Sequence, residues 1–413
     1  MPYLRRKAAL LTVAAALTGL AATPPAHAGD VPHELGIDGS GECTFPMKQQ
    51  IEGIPWPLQR VLLDELWQDT KGKGVRVAVI DTGVDNDNVQ LKSAVDASAG
   101  RDLLKPDKNN QDEKRGKTDG TVDLVGHGTK VAGIIAARPR KGTGFVGLAP
   151  EATIIPIRQN DENNSGNDRT MATAIDHAIA KGADVINISQ DTAKPLALDS
   201  ELGKAVQRAI RAKAVVVASA GNDGMDGKLR NTYPAAFPGV LAVASSDRNN
   251  ERAAFSQAGE FVGIAAPGVD VVSTVPGNGQ CVDNGTSFSA PYIAGVAALL
   301  RAKYPDWTVA QIIAQIEQTA ERSINGRDNF VGWGVVDPVR ALGGEGKPIS
   351  APSPDPGPPK PPAPEAAHLA MTETVQERNE RYATYALGIG VVLVAVVGGS
   401  ATVIRDTRRK RSQ

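Results

Sequence analysis

The sequence predicts an α/β fold: a doubly wound, mostly parallel sheet flanked by helices, with one separate transmembrane helix near the C-terminus. Three observations carry this expectation. Short, nearly continuous apolar runs rich in valine, such as Val75–Ile80, recur along the chain. Runs without polar alternation suit strands of a parallel sheet covered on both faces. They alternate with longer stretches of helical character, which argues for crossover connections. Ala383–Ile404 forms a third kind of segment, 22 uncharged and largely apolar residues, long enough to cross a bilayer with some tilt.

Taken in order, the chain opens with Arg5-Arg6-Lys7, an apolar stretch from Ala8 to Ala22, and Ala26-His27-Ala28. A basic start, an apolar core too short to span and a small-x-small site predict a signal peptide over 1–28, cleaved after Ala28 and exported by the general route. Residues 29–73 form an N-terminal extension. Residues 74–343 form the main domain, and together 29–343 hold about 315 residues, enough for one large core. Beyond Val75–Ile80, strands are expected at Ile154–Ile157, Val185–Ile188, Val215–Ala218 and Leu241–Ala244. Helices are expected near Met171–Lys181, Glu201–Ala212, Ser287–Tyr304 and Thr308–Thr319. A polar insertion, Lys105–Gly120, has no apolar periodicity and reads as a mobile surface loop. Residues 344–382 begin with a proline-dense stretch, Pro348–Pro364, expected to be an extended spacer. A short polar segment, Met371–Arg381, reads as a brief amphipathic helix or an irregular stretch. After the span at 383–404 comes a basic tail, 405–413, rich in arginine. Positive charge stays in the cytoplasm, so the main domain is expected outside the membrane.

Composition excludes other classes. The formal net charge of −1 gives no support for nucleic-acid binding. The chain carries no internal repeat, no zinc-type Cys/His cluster and no phosphate-binding glycine loop.

Three motifs carry chemistry. Open α/β sheets hold their sites at the carboxyl ends of strands, and Asp81-Thr82-Gly83-Val84-Asp85 closes the first apolar run. Gly126-His127-Gly128-Thr129-Lys130-Val131-Ala132-Gly133 opens an apolar helix. Asn284-Gly285-Thr286-Ser287-Phe288-Ser289-Ala290-Pro291 sets a serine at a Gly/Thr-rich turn that runs into another. A hydroxyl at a helix N-terminus lies beside unpaired N–H groups and the positive end of the helix dipole, which suits a nucleophile whose product is an oxyanion. Each motif alone has an ordinary reading, as a cap, a turn or a surface histidine. In the order Asp, His, Ser they match one of the arrangements that build a Ser-His-Asp triad.

With these blocks the chain resembles a subtilisin-like serine protease over roughly Gly74–Leu342. Ala218-Ser219-Ala220-Gly221-Asn222 adds to the resemblance, as do Phe255-Ser256, Ala265-Ala266-Pro267-Gly268 and Gly332-Trp333-Gly334-Val335-Val336-Asp337. The resemblance implies Ser287 as nucleophile, His127 as base and acid, Asp81 as the group that orients the imidazole, and Asn222 with the Ser287 N–H as oxyanion hole. It also implies that an extended peptide adds beside Ser189, Gln190 and Asp191 on one side and Ala220 and Gly221 on the other. Gln190 and Asp191 replace the small residues usual there, which narrows the cleft or places a charge near it and speaks against a broad digestive specificity; the alternative is that Asp191 caps a surface turn. Signal peptide, protease domain, proline-rich linker and one C-terminal helix with a basic tail look like the mycosins, membrane-anchored proteases of actinobacterial type VII secretion systems. That implies exported protein substrates and association with subunits of a membrane secretion complex. Two readings stand beside it: a mainly structural subunit of such a complex, and a generic cell-surface scavenging protease. No cofactor is expected; structural calcium is common in the family, but no ligand set can be assigned from these residues. The chain has two cysteines, Cys43 and Cys281. In an exported protein the simplest pairing joins them and staples the extension near the loop before Ser287; two free or intermolecular thiols are the alternative.

Overall fold

The structure is a computed structural model and describes residues 43, 45–104, 117–344, 346–356 and 372–412. The expected signal peptide, residues 105–116 of the polar insertion and 357–371 of the linker lie outside the described residues. The chain divides into two compact units that meet at Gly357 and Pro358.

In the first unit seven strands form one parallel sheet: β1 Arg76–Asp81, β2 Arg101–Asp102, β3 Thr153–Arg158, β4 Val185–Ile188, β5 Val215–Ser219, β6 Leu241–Ser246 and β7 Val262–Pro267. Their order across the sheet is β2-β3-β1-β4-β5-β6-β7. A second, two-stranded antiparallel sheet joins β8 Val271–Thr274 to β9 Gln280–Asp283. The helices are α1 Trp56–Gln59, α2 Leu63–Leu66, α3 His127–Ala136, α4 Asp168–Ala180, α5 Glu201–Arg211, α6 Thr286–Lys303, α7 Val309–Gln318 and α8 Pro338–Leu342, with α9 Val375–Lys410 in the second unit.

Successive strand side chains point to opposite faces, and here both faces are buried. Val77, Val79, Val185, Val215 and Val217 pack in one core with Val131 and Ile135 of α3, Ile293 and Val296 of α6, and Ile312 of α7. Ala78, Ile80, Ile186, Ile188 and Val216 pack in another with Met171 and Ile175 of α4 and Leu202 and Val206 of α5. This two-sided burial is why the strands read as unbroken apolar runs. Local chemistry fixes the helix starts. Asn167 accepts from the Thr170 N–H in a reciprocal capping box at α4, and Thr308 pairs with Gln311 in the same way at α7.

The expected strands and helices all form, with ends that differ by a few residues. Several elements exceed the expectation. β7, whose Val262–Pro267 run includes a Gly and ends in Pro, completes the sheet beside β6. The two-residue β2 extends it at the other edge. The polar Met371–Arg381 segment is neither separate nor irregular: from Val375 it belongs to α9, and Thr374 and Glu377 form the capping box that starts the helix. At 36 residues α9 runs about 54 Å, longer than the roughly 30 Å hydrocarbon core of a bilayer. It is long and apolar enough to cross a membrane.

The extension is built into the domain. Leu58, Val61 and Leu66 are buried in the same core as β1 and α6. Trp56 donates to the Val269 carbonyl, Trp67 to that of Leu148, and Tyr292 of α6 donates to that of Pro57. The Cys43–Cys281 disulfide forms, with Cα atoms 6.3 Å apart. Beside it the extension runs along the β8–β9 turn, through Met47 N–H to Asn278 O and Gln280 N–H to Gln49 O.

One carboxyl works against this packing. The side chain of Glu317 on α7 lies against Gly263 of β7. Burial pushes it up to about 7, although Arg327 and Arg322 act in the opposite direction. Its folded value exceeds its unfolded value near 4.5, so the carboxyl disfavours folding above about pH 7, and the penalty fades as pH falls toward 4.5. Glu317→Gln is expected to raise the thermal unfolding midpoint at pH 8 by on the order of 2–4 °C and to leave it unchanged at pH 4.5. Equal midpoints at pH 8 would contradict this account.

Candidate active site

The three expected residues converge at the carboxyl ends of adjacent strands. Asp81 is the last residue of β1 and is fully buried. His127 is the first residue of α3, after Gly126, whose φ of 81° is the left-handed conformation that glycine adopts without strain. Ser287 lies in the first turn of α6. His127 Nδ1 and Asp81 Oδ1 are 2.7 Å apart, and the Thr82 N–H donates to the same oxygen at 2.8 Å. Asp81 Oδ2 and His127 Nε2 are buried without hydrogen-bond partners, so no hydrogen bond joins Nε2 to Ser287 Oγ. The Ser287 hydroxyl instead donates to the Ser189 carbonyl at 3.2 Å. Such contacts often tighten only when substrate is bound.

Close approach sets the Asp81–His127 contact. A Cβ on Gly128 would fall 2.1 Å from Gly83 O and 3.0 Å from Asp81 Cβ, so α3 lies against the end of β1 because that position has no side chain. On its other flank the imidazole meets Phe288, with ring centroids 5.4 Å apart. Burial works against the imidazolium, but the charge and hydrogen bond of Asp81 outweigh it, and His127 titrates above the usual histidine range.

Ser287 is held from below through Pro291. Proline inside a helix has no N–H to give the carbonyl four residues earlier, which here is that of Ser287. The Ser189 hydroxyl donates to that carbonyl at 2.8 Å, and Asn187 Nδ2 donates in turn to the Ser189 hydroxyl. Asn222 follows β5 through Ala220 and Gly221. Its Oδ1 accepts from the Thr286 N–H at 2.9 Å and from Thr286 Oγ1 at 3.0 Å, which turns Nδ2 the opposite way.

The expected substrate-binding residues take different places. Ser189 supports Ser287, as above. Gln190 is buried, with Nε2 reaching the Ile80 carbonyl at 3.5 Å, so it sits beneath the strand ends and presents no exposed wall. Asp191 faces Gly221: a Cβ there would lie 2.9 Å from Asp191 Oδ2. The N–H groups of Ala220 and Gly221 are both committed within the protein, to Val243 O and to Thr286 Oγ1. Their carbonyls accept from Thr232 Oγ1 and from the Gln257 N–H. These two residues therefore form a wall, with no N–H to offer an added strand.

Sequence reasoning missed Asp123. It is buried and accepts from Thr82 Oγ1, the Gly126 N–H, and both the N–H and Oγ1 of Thr129. Thr82 Oγ1 accepts in turn from the Gly128 N–H. One carboxylate thus ties the start of α3 to the turn after β1. Burial raises its carboxyl above the usual carboxylate range, and these hydrogen bonds oppose the rise without cancelling it. An acidic residue just before a helix start is a capping signal, and that was the available clue.

Among the described residues no group of three or more His, Cys, Asp or Glu is placed to hold a metal ion.

Comparison with known proteins gives the family. The sequence pattern of the subtilase family matches residues 72–334. The chain is 33% identical to Mycosin-1 of Mycolicibacterium smegmatis over 462 residues, covering 92% of this chain and 96% of that protein. It is 34% identical to subtilisin E of Bacillus subtilis over 288 residues, 69% of this chain and 70% of that one. Its fold is similar to the solved structure of MycP1, described as an essential component of the type VII (ESX-1) secretion system. The TM-score is 0.62 at 32% identity, over 76% of this chain and 93% of that one.

Asp123→Ala strands four buried donors. The expected loss is about 2–5 kcal/mol of stability, with a fall in kcat/KM, read by chemical unfolding and peptide hydrolysis. Full activity at wild-type stability would show that the carboxylate does not organise the start of α3.

Proposed function

The chain belongs to the subtilase family and is a serine endopeptidase related to the mycosins, and from that premise we propose how its residues act and where. Ser287 Oγ attacks the scissile carbonyl while His127 Nε2 takes its proton. Asp81 holds the imidazole in the tautomer that leaves Nε2 able to accept, and it stabilises the imidazolium that forms. The tetrahedral oxyanion is met by Asn222 Nδ2 and by the Ser287 N–H at the positive end of α6. His127 then gives the proton to the leaving amine. Water repeats the sequence on the acyl-serine and releases the acid. The observation that carries this reading is the 2.7 Å Asp81–His127 contact, beside a serine in the first turn of α6. The raised His127 value places the acid limb of kcat/KM above the usual histidine range.

The domain acts outside the membrane on exported proteins, tethered by α9, whose basic end stays in the cytoplasm. Its partners are subunits of a type VII secretion complex. Support comes from the relationship to Mycosin-1 and MycP1 and from the length and apolar character of α9.

The purified protein is expected to label with a serine-reactive fluorophosphonate probe, and Ser287→Ala to abolish the label. A folded protein that does not label would overturn the assigned roles. Asn222→Ala is expected to lower kcat about 10²–10³-fold, the size found for loss of such a donor in a subtilisin. Secretion that continues unchanged in a Ser287→Ala strain would assign the complex a structural subunit in place of a working protease.

A further inference from the structure

Lys130 lies one turn after His127 on α3, and its side chain is 4% exposed. Its Nζ meets Asp283 Oδ2 at 2.7 Å, and Asp283 is 3% exposed. Asp283 ends β9, and its Oδ1 accepts from the Asn284 N–H, within the stretch that turns into α6. The pair therefore joins the helix that carries His127 to the strand that leads to Ser287. Lys130 Nζ also stands 5.9 Å from the centre of the Phe288 ring, the ring that flanks the imidazole. The same turn of α3 is pinned to β8, because Ser273 Oγ donates to Lys130 O and Thr274 Oγ1 to Thr129 O.

A buried ion pair is a poor device for stability alone, since two apolar residues of similar volume usually do as well. This pair does something apolar residues cannot: it fixes a direction and a charge beside the imidazole. We propose that Lys130 and Asp283 are positioning residues for the proteolytic reaction, holding the start of α3 in register with the start of α6 and setting a fixed positive charge beside His127. The inference rests on the roles given above to His127 and Ser287.

The groups acting on His127 can be named element by element. Asp81 at the end of β1 and Asp123 before α3 favour the imidazolium, and Lys130 opposes it. Of the elements packed on α3, β8 carries no charge, and the first two turns of α6 contain Tyr292 as their ionisable side chain. β3 contributes Arg158, which pairs with Asp102, and β1 begins with Arg76, which pairs with Asp96. Lys130 is thus the cation that restrains the proton affinity of His127.

The test compares Lys130→Met, Lys130→Arg and the double variant Lys130→Met/Asp283→Leu in the full chain, with kcat/KM on a peptide substrate followed from pH 4 to 9. Lys130→Met is expected to lower kcat about 10–100-fold and to move the acid limb upward by roughly 0.5–1 pH unit. Lys130→Arg keeps the limb at its wild-type position. The double variant, which removes one charge of each sign, restores the unfolding midpoint and returns the limb toward its wild-type position but keeps the loss of kcat, and it supplies the answer if Lys130→Met does not fold. A double variant with wild-type kcat, or a Lys130→Met limb that does not move, would overturn the proposal. Fluorophosphonate labelling of the wild-type chain reports separately on the underlying roles, so failure of the pair and failure of the triad give different results.

Discussion

The active site depends on how closely α3 can approach the end of β1. The absence of a side chain at Gly128 lets the helix rest on Gly83 and Asp81, and from that approach the Asp81–His127 contact follows. The other features act as braces. Asp123 gathers donors from the turn after β1 and from the start of α3. Phe288 closes the far flank of the imidazole. The parallel sheet supplies the rest, because it delivers Asp81, Ser189 and the Ala220–Asn222 turn to a single edge from three neighbouring strands.

Much of this was legible in the sequence, for a definite reason. Strands buried on both faces show no alternation, so Val185–Ile188 and Val215–Ser219 announce themselves as short valine- and isoleucine-rich runs. Asp81, His127 and Ser287, each within two residues of a glycine, mark a strand end and two helix starts. What stayed hidden is what depends on contacts distant in sequence. Nothing local ties Lys130 to Asp283, 153 positions away. Gln190 reads as a cleft residue from its place after β4, yet its side chain turns under the sheet. The start of α9 was hidden for another reason: an apolar window reports what a membrane accepts, while helix ends are set by caps such as Thr374 and Glu377.

Several charged groups are buried at the site. Asp81, Asp123, Lys130 and Asp283 are all buried, and charge removed from water is unfavourable unless it is matched by donors or opposite charge. All four have such matches through hydrogen bonds or an ion pair. Asp81 Oδ2 and His127 Nε2 remain buried without partners, so part of the unmet polar capacity falls on the imidazole that carries the proton and on the carboxylate that stabilises it. The active site is thus one of the places where the fold gives up stability, as expected where a preorganised environment serves a transition state.

The extension carries a consequence for how maturation would look in the laboratory. Its tryptophans and leucines are threaded into the same interior as β1 and α6, and Cys43 is bonded to Cys281. A peptide bond cut in the stretch between Cys43 and Trp56 would release nothing: the piece upstream of the cut stays bonded to Cys281, and the piece downstream stays embedded. Such a nicked protein would migrate at full length on a non-reducing denaturing gel and lose its N-terminal fragment only after reduction. Apparent size alone would then hide the event, and the new N-terminus would have to be read directly.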